Sequence, residues 1–194
     1  MARKIYLSLL YCMLLIPSTA WALYPPLGVL TPSFSGLICV SEKLCVDDIA
    51  RLDQAQKLYD EALEFVSTNL GELENAPRAY FCAHESCSTY FGMHHSVAYN
   101  VGTSGFAIKP NGWTAHFVRH ELIHHLQNER LGSFHNFFFK PDWLLEGMAY
   151  SMSEDPRRPI PGDGSLEAYR SQFEKWYSEL NEDDIWEAAA KISN

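Results

Sequence analysis

Basic residues are scarce in this 194-residue chain, which has 15 Lys and Arg against 24 Asp and Glu and a formal net charge of −9 at pH 7. Nucleic acids and anionic membranes are bound by basic surfaces, so this balance argues against both as partners. The sequence also lacks internal repeats and low-complexity tracts. With 47% hydrophobic residues, a chain of this length can build one core, and we expect one domain.

Long hydrophobic runs are missing too, except at the start of the chain. A short basic stretch precedes an apolar run over residues 5–16, and Ala20 and Ala22 then offer small side chains. These are the three parts of a secretory signal. We therefore expect a signal peptide over residues 1–22 and a single mature domain over residues 23–194, with no stable membrane insertion after cleavage. Removal of residues 1–22 takes away two basic and no acidic residues, which changes the net charge to −11.

Cysteines are few, and their number fits export. One of the five lies in the predicted signal, and the others form two close pairs, Cys39 with Cys45 and Cys82 with Cys87. Four cysteines allow three pairings, and the local one is the simplest, so we expect two local disulfides and a secreted or periplasmic location. The alternative for Cys82 and Cys87 is a metal site that also uses His84, although zinc–thiolate sites usually need further soft ligands.

The order of the predicted elements indicates an α+β domain. Apolar residues at three- and four-residue steps predict a helix over residues 46–70 with Asp47 as its N-cap. Short aromatic or β-branched segments separated by turn residues predict four strands, at residues 78–82, 88–91, 96–101 and 106–109. Helices are predicted at residues 113–131, 142–152, 165–180 and 183–192. We expect a short mixed sheet beside one long helix, followed by a helical C-terminal part.

The sequence contains the motif His-Glu-x-x-His, which begins at His120 and ends at His124. Residues four apart on a helix project from the same face, so both imidazoles can bind one Zn²⁺. Glu121 lies one step round the helix, where its carboxylate can reach a water molecule at the metal without binding the metal itself. The motif therefore predicts a catalytic zinc site with Glu121 as general base.

A catalytic zinc ion needs a third protein ligand and one open position, and four downstream residues compete for the role of ligand. Glu129, five residues past the motif on the same helix, points about 140° away from it. Asp142 is explained as a helix cap, whereas His135 offers the imidazole that zinc prefers. Glu146 lies one turn inside the next predicted helix. Gly147 beside it is expected to let that helix closely approach the helix that carries His120 and His124, which we call the zinc helix.

Residues 143–149 read Trp-Leu-Leu-Glu-Gly-Met-Ala and follow the His-Glu-x-x-His helix. Over residues 113–153 the chain resembles the gluzincins, the thermolysin- and aminopeptidase-like zinc peptidases of the peptidase MA group, although it is much shorter than typical members. In those families the Glu of a Trp-Leu-x-Glu-Gly-x-Ala helix completes the site. The resemblance implies a small zincin-like domain, a Zn²⁺ bound by His120, His124 and Glu146, and hydrolysis of a peptide or protein substrate.

The resemblance also implies where a substrate lies. The strand over residues 105–109, just before the zinc helix, is expected to be an edge strand that pairs with extended substrate backbone. A group that stabilises the oxyanion is needed as well. Tyr150, Tyr169 and His116 are candidates by their proximity to the motifs, and His116 is otherwise expected to line the cleft behind the metal ligands.

Two other functions fit the same residues. One is a zinc amide hydrolase that acts on cell-wall peptides, and the other is a secreted binding protein that keeps the scaffold without catalysis. Glu121 argues against the second, because a purely structural site has no use for a base. The remaining histidines have simpler interpretations: His125 is expected to be structural or exposed, His94 and His95 to lie in a surface loop, and His135 in an aromatic loop.

Overall fold

The computed structural model describes residues 28–29, 36–180 and 184–194, and these form an α+β domain. The predicted α+β class is therefore confirmed. The predicted signal peptide over residues 1–22 lies outside the described residues. Within the described ranges, none of the helices has the length and apolar character needed to cross a membrane.

The described residues form one mixed sheet of five strands. In chain order these are β1 (Ile38–Cys39), β2 (Leu44–Val46), β3 (Arg78–Phe81), β4 (Ala98–Val101) and β5 (Gly105–Ile108). Across the sheet the order is β1-β2-β3-β5-β4, so β4 forms one edge and β5 is internal. The pairs β2–β3 and β3–β5 are parallel, and the two outer pairs are antiparallel.

Seven α-helices lie in the described ranges. They are α1 (Leu52–Leu70), α2 (Glu85–Tyr90), α3 (Ala115–Leu131), α4 (Ser133–Phe139), α5 (Asp142–Met152), α6 (Ser165–Ser178) and α7 (Ile185–Ala190). The predicted helices that correspond to α3, α5 and α6 are confirmed, and α7 is shorter than predicted. The first helix starts later than predicted, because Val46 belongs to β2 and a 3-10 turn over Ile49–Arg51 precedes α1.

The sheet separates two hydrophobic clusters. Alternate residues of a strand point to opposite faces of the sheet. On one face, Phe81 of β3 and Phe106 of β5 pack with buried residues of α1, α3, α5 and α6. On the other face, Tyr80 and Ala107 pack with Phe91, which follows α2. The long helix α3 is therefore held by α1 and α5 on the helical side of the domain.

Both predicted disulfides are confirmed. Cys39–Cys45 joins the two strands of the β1–β2 hairpin, and Cys82–Cys87 joins the end of β3 to α2. The alternative of a metal site at Cys82, His84 and Cys87 is wrong, because both thiols are used in a disulfide.

The predicted capping role of Asp47 is wrong. Asp48 is the N-cap of the 3-10 turn, where its Oδ1 accepts a hydrogen bond from the backbone N–H of Ala50 at 3.0 Å. The carboxylate of Asp47 instead accepts from the backbone N–H groups of Ala83 (2.5 Å) and His84 (2.9 Å). Asp47 thus fixes the chain between β3 and α2, a long-range contact that the local pattern did not reveal.

Two local predictions in aromatic segments are also wrong. The predicted strand over residues 88–91 falls largely within α2. The Cys82–Cys87 disulfide holds the two Cα atoms 5.4 Å apart, which five extended residues cannot do, so the chain must turn here. The aromatic segment 134–139, expected as a loop, forms the helix α4 directly after Gly132.

Gly147 determines how closely α5 packs against α6. A Cβ atom at this position would lie 2.4 Å from the backbone oxygen of Tyr169 and 2.8 Å from Cβ of Phe173, both in α6. The prediction that Gly147 permits a close approach to the zinc helix is therefore wrong, since the close approach is to α6. The glycine still serves the site, because α5 carries Glu146.

We expect Gly147→Ala to destabilise the protein. Helix propensity alone would favour Ala over Gly by about 1 kcal/mol. The added Cβ meets backbone of α6 at 2.4 Å, however, and overpacking of this kind costs about 1–3 kcal/mol or more. Thermal unfolding followed by circular dichroism should show a Tm several degrees lower. A Tm equal to or above the wild-type value would mean that α5 and α6 are not in close contact.

Candidate metal centre

The three side chains predicted to bind the metal lie together where α3 packs against α5. His120 Nε2 and His124 Nε2 are 3.0 Å apart. Oε2 of Glu146 lies 3.5 Å from His120 Nε2, and Oε1 of Glu146 lies 3.4 Å from His124 Nε2. Ligand atoms of a tetrahedral zinc ion are about 3.3 Å apart, given bonds of about 2.0–2.1 Å. The described residues therefore offer one group, two imidazoles and a carboxylate, that fits a divalent zinc ion.

Gln127 fixes the orientation of one ligand and links the two helices. Its Oε1 lies 2.8 Å from His124 Nδ1, which assigns the proton of that ring to Nδ1 and leaves the lone pair of Nε2 directed at the site. Its Nε2 donates to the backbone oxygen of Leu145, next to Glu146, at 2.9 Å. Sequence reasoning missed this residue, because its burial and its bond to α5 become visible only in the folded chain.

We expect Gln127→Leu to weaken zinc binding by about 10–100-fold, because hydrogen-bond partners of metal ligands contribute on this scale. Gln127→Glu is the matched control, since it also loses the bond to the Leu145 oxygen but keeps an acceptor for His124 Nδ1. Competition titration with a zinc indicator should show near wild-type affinity for the Glu variant. Equal losses in both variants would show that helix linkage, not the orientation of His124, is the role of Gln127.

The charges at the site influence one another strongly. Burial opposes charge on His124, but the carboxylate of Glu146 prevails and raises the pKa of His124 to about 9. Burial likewise opposes charge on Glu146, yet His124 and His120 together hold the pKa of Glu146 well below its usual range. Burial lowers the pKa of His120 despite the nearby carboxylate. The cluster thus keeps a carboxylate beside two imidazoles, the protonation states that a metal ion requires once His124 releases its proton.

Glu121 lies beside the ligands on α3 and is 6% exposed. Burial raises its pKa to about 7, although His124 acts in the opposite direction. Its backbone oxygen accepts a hydrogen bond from Asn100 Nδ2 of β4 at 3.3 Å. A buried carboxyl group with a pKa near 7 is suited to accept and return a proton.

A chain of three asparagines connects β4, α3 and α4 beside the backbone of Glu121. Asn128 Nδ2 of α3 lies 3.3 Å from both Asn100 Oδ1 and the backbone oxygen of Gly102. Asn136 Nδ2 of α4 in turn donates to Asn128 Oδ1 at 3.2 Å. The three residues come from separate elements, so no local sequence pattern pointed to them. They hold β4 and α4 in place along α3.

The candidate ligands open onto a cleft of about 1260 Å³ that is bordered by β4, α3, α4, α5, the segment before α6 and the first turns of α6. Tyr150, Tyr169 and Arg157 line this cleft. The ring of Tyr150 lies 4.5 Å from that of His120, centroid to centroid, and burial raises the pKa of Tyr150 to about 12. Of the three candidates for oxyanion stabilisation, Tyr150 is in contact with a ligand. His116 contacts Thr114 at the start of α3 instead, with its Nδ1 3.2 Å from the threonine hydroxyl.

The predicted edge strand over residues 105–109 is wrong. Its residues form β5, which lies between β3 and β4. A tight turn over residues 102–104 joins β4 to β5 as a hairpin, so β4 is placed outside β5 and becomes the edge. All four residues of β4 line the cleft. The edge strand beside the candidate metal centre is therefore β4.

The other histidines lie outside the cluster of ligands. His125 is fully buried and its Nε2 lies 3.1 Å from Glu129 Oε1, so this pair is structural and Glu129 is turned away from the metal centre. His135 is exposed on α4, and His94 and His95 are exposed after α2, with His95 at the border of the cleft. The positions of His125, His94 and His95 agree with the simpler interpretations given above, whereas His135 lies on a helix and not in the predicted loop.

Fold and site together define the class of molecule as an α+β protein with a candidate His-His-Glu metal centre in an open cleft. Comparisons with protein-family models, with curated proteins and with solved structures find no match to this chain. The resemblance to the gluzincins consequently rests on the residues of the two motifs, and the function rests on the chemistry of the site.

Proposed function

We propose that this protein is a zinc-dependent peptidase that acts outside the cytoplasm. The observation that carries the proposal is the convergence of His120, His124 and Glu146, with Glu121 beside them, at one wall of a cleft. Structural zinc sites usually have four protein ligands, whereas catalytic sites have three and keep a position open. The described residues offer three candidate ligands, and the buried carboxyl group of Glu121 is left unbound to the metal. This arrangement is typical of a catalytic site.

The residues of the chain have distinct roles in hydrolysis. Bound Zn²⁺ would supply Lewis-acid chemistry at the scissile carbonyl and lower the pKa of the attacking water. Glu121 takes a proton from that water and later passes it to the leaving amine. Tyr150, next to His120, has a pKa far above neutral and so keeps its hydroxyl proton, which it donates in a hydrogen bond to the developing oxyanion.

The position of β4 favours a polypeptide substrate. An edge strand has backbone N–H and C=O groups free to pair with an extended chain, and such pairing is a common mode of peptide recognition. All of β4, Ala98–Val101, borders the cleft that holds the candidate metal centre. Asn100 links this strand to the backbone of Glu121, so a chain paired with β4 lies beside the proposed base.

Export is supported by the two disulfides, which persist in oxidising compartments and are rare in the cytosol. It also agrees with the signal peptide predicted over residues 1–22. We propose a secreted or periplasmic location on these two grounds.

The test is hydrolysis of casein and of a peptide library by purified residues 23–194 loaded with zinc. We expect cleavage that a zinc chelator abolishes and that added Zn²⁺ restores. Purified cell-wall peptides assayed in parallel separate the alternatives. Cleavage of those alone would assign the chain to cell-wall amide hydrolysis, and no hydrolysis at full zinc occupancy would contradict the catalytic role.

A further inference from the structure

Helix α4 exposes four phenylalanines, which together we name the phenylalanine patch. Phe134, Phe137, Phe138 and Phe139 are 70%, 80%, 56% and 46% exposed. The ring centroids of Phe134 and Phe138 are 4.7 Å apart, and those of Phe137 and Phe138 are 4.8 Å apart, so the rings form one surface. Soluble proteins rarely expose a contiguous group of large apolar side chains without a binding role.

The phenylalanine patch is continuous with the cleft of the candidate metal centre. Phe137 lines that cleft together with the ligands and β4. The helix also begins where β4 ends, because a Cβ on Gly102 would lie 3.1 Å from Ser133 Oγ at the start of α4. The asparagine chain fixes this junction through Asn128, which donates to the Gly102 oxygen and accepts from Asn136 of α4. A polypeptide extended along β4 is therefore directed onto the phenylalanine patch.

The charges around α4 favour an apolar polypeptide over an anionic membrane. Residues 133–139 contain no Lys or Arg. The adjacent Lys140 is buried, and its Nζ donates to the backbone oxygens of Ala189 (2.8 Å) and Ala190 (2.9 Å) at the end of α7. The nearby exposed Lys191 is paired with Glu187. In a chain of net charge −9, this surface offers little of the attraction on which binding to anionic lipids depends.

We propose that the phenylalanine patch binds large apolar side chains of the polypeptide substrate, on one side of the scissile bond. This inference rests on the proposed peptidase function and specifies its substrate class, namely chains with a cluster of apolar residues accessible for pairing with β4. Folded proteins bury such clusters, so unfolded or extended apolar segments are the preferred substrates. The phenylalanine rings provide apolar area, and the edge of β4 provides backbone hydrogen bonds.

Peptide binding tests this without requiring catalysis. Two labelled peptides that differ only in a Leu-Phe-Leu or a Ser-Ser-Ser cluster are titrated, by fluorescence anisotropy, against zinc-loaded Glu121→Gln protein. We expect the apolar peptide to bind at least about ten-fold more tightly, since each partly buried apolar side chain contributes on this scale. Adding Phe137→Ser and Phe138→Ser together should reduce the preference to less than about two-fold. Ile38→Ser, which removes a side chain 51% exposed on β1 at the opposite edge of the sheet, should leave the preference unchanged.

An unchanged preference in the Phe137→Ser/Phe138→Ser protein would overturn the proposal. Two other outcomes would also overturn it. In these, the double variant abolishes binding to phosphatidylcholine vesicles, or abolishes a concentration-dependent dimer seen by analytical ultracentrifugation, while peptide binding stays the same. A wild-type chain that binds the apolar peptide but cleaves no peptide would contradict the peptidase function and leave the binding surface established. Because both phenylalanines are exposed, the double variant should keep the wild-type Tm, and this is checked before titration.

Discussion

We expect the replacement of Glu121 with Gln to remove most of the proposed peptidase activity and to leave the zinc content at one ion per chain. The amide has nearly the same size as the carboxyl group, so it fits the same buried position, which is 6% exposed. It cannot accept a proton from the attacking water, and loss of a general base typically costs about 10²–10⁴-fold in rate. The two measurements are kcat/KM on a peptide from the library and zinc content by mass spectrometry.

A second Glu→Gln change provides the control for this experiment. Glu64 is exposed on α1, outside the residues that border the cleft, so Glu64→Gln should keep both activity and zinc. Wild-type turnover by zinc-loaded Glu121→Gln protein would show that another group activates the water. Loss of zinc from Glu121→Gln would instead show that Glu121 contributes to the metal site directly.

Replacing Glu146 with Ala is expected to weaken zinc binding by more than about 100-fold. Changes at residues that merely support a ligand already cost 10–100-fold, and this change removes one of three ligands. The two remaining imidazoles lie on one helix, with Nε2 atoms 3.0 Å apart, and hold zinc only weakly without the carboxylate from α5. Zinc content after dialysis and competition titration with an indicator measure the effect.

His135→Ala is the control that separates the two candidate third ligands. His135 is exposed on α4 and its ring packs 5.2 Å from that of Phe139, centroid to centroid. Its removal should leave zinc affinity unchanged. Zinc that is lost from the His135 variant but kept by the Glu146 variant would assign the site to a different ligand set, and circular dichroism of both variants shows whether the fold is intact.

Features that depend on spacing along one helix could be predicted from the sequence. His120 and His124 share a face of α3 because four residues make about one turn, and this geometry does not depend on the rest of the fold. The two disulfides join cysteines five or six positions apart, so their pairing is also local. The bounds of α5 were predicted correctly because Pro141 precedes the helix and apolar residues recur along it.

Features that depend on contacts between distant segments could not be predicted. The edge strand is determined by the side of β5 on which β4 pairs. The residue pattern of neither strand predicts that side. Gly147 was assigned to the wrong neighbouring helix. A glycine in a helix can indicate close packing, but the sequence does not show which element packs against it. Gln127 and Asn128 act through partners on α5, β4 and α4, so their roles become visible only in the folded chain.

The most direct test of the proposed zinc site is a crystal structure of the zinc-loaded protein with data collected on both sides of the zinc absorption edge. We predict one anomalous peak between α3 and α5, at about 2.0–2.2 Å from His120 Nε2, His124 Nε2 and an oxygen of Glu146, with Glu121 unbound to the metal. No peak at that position, or full zinc occupancy on other side chains alone, would contradict the assignment of these three residues as the metal ligands.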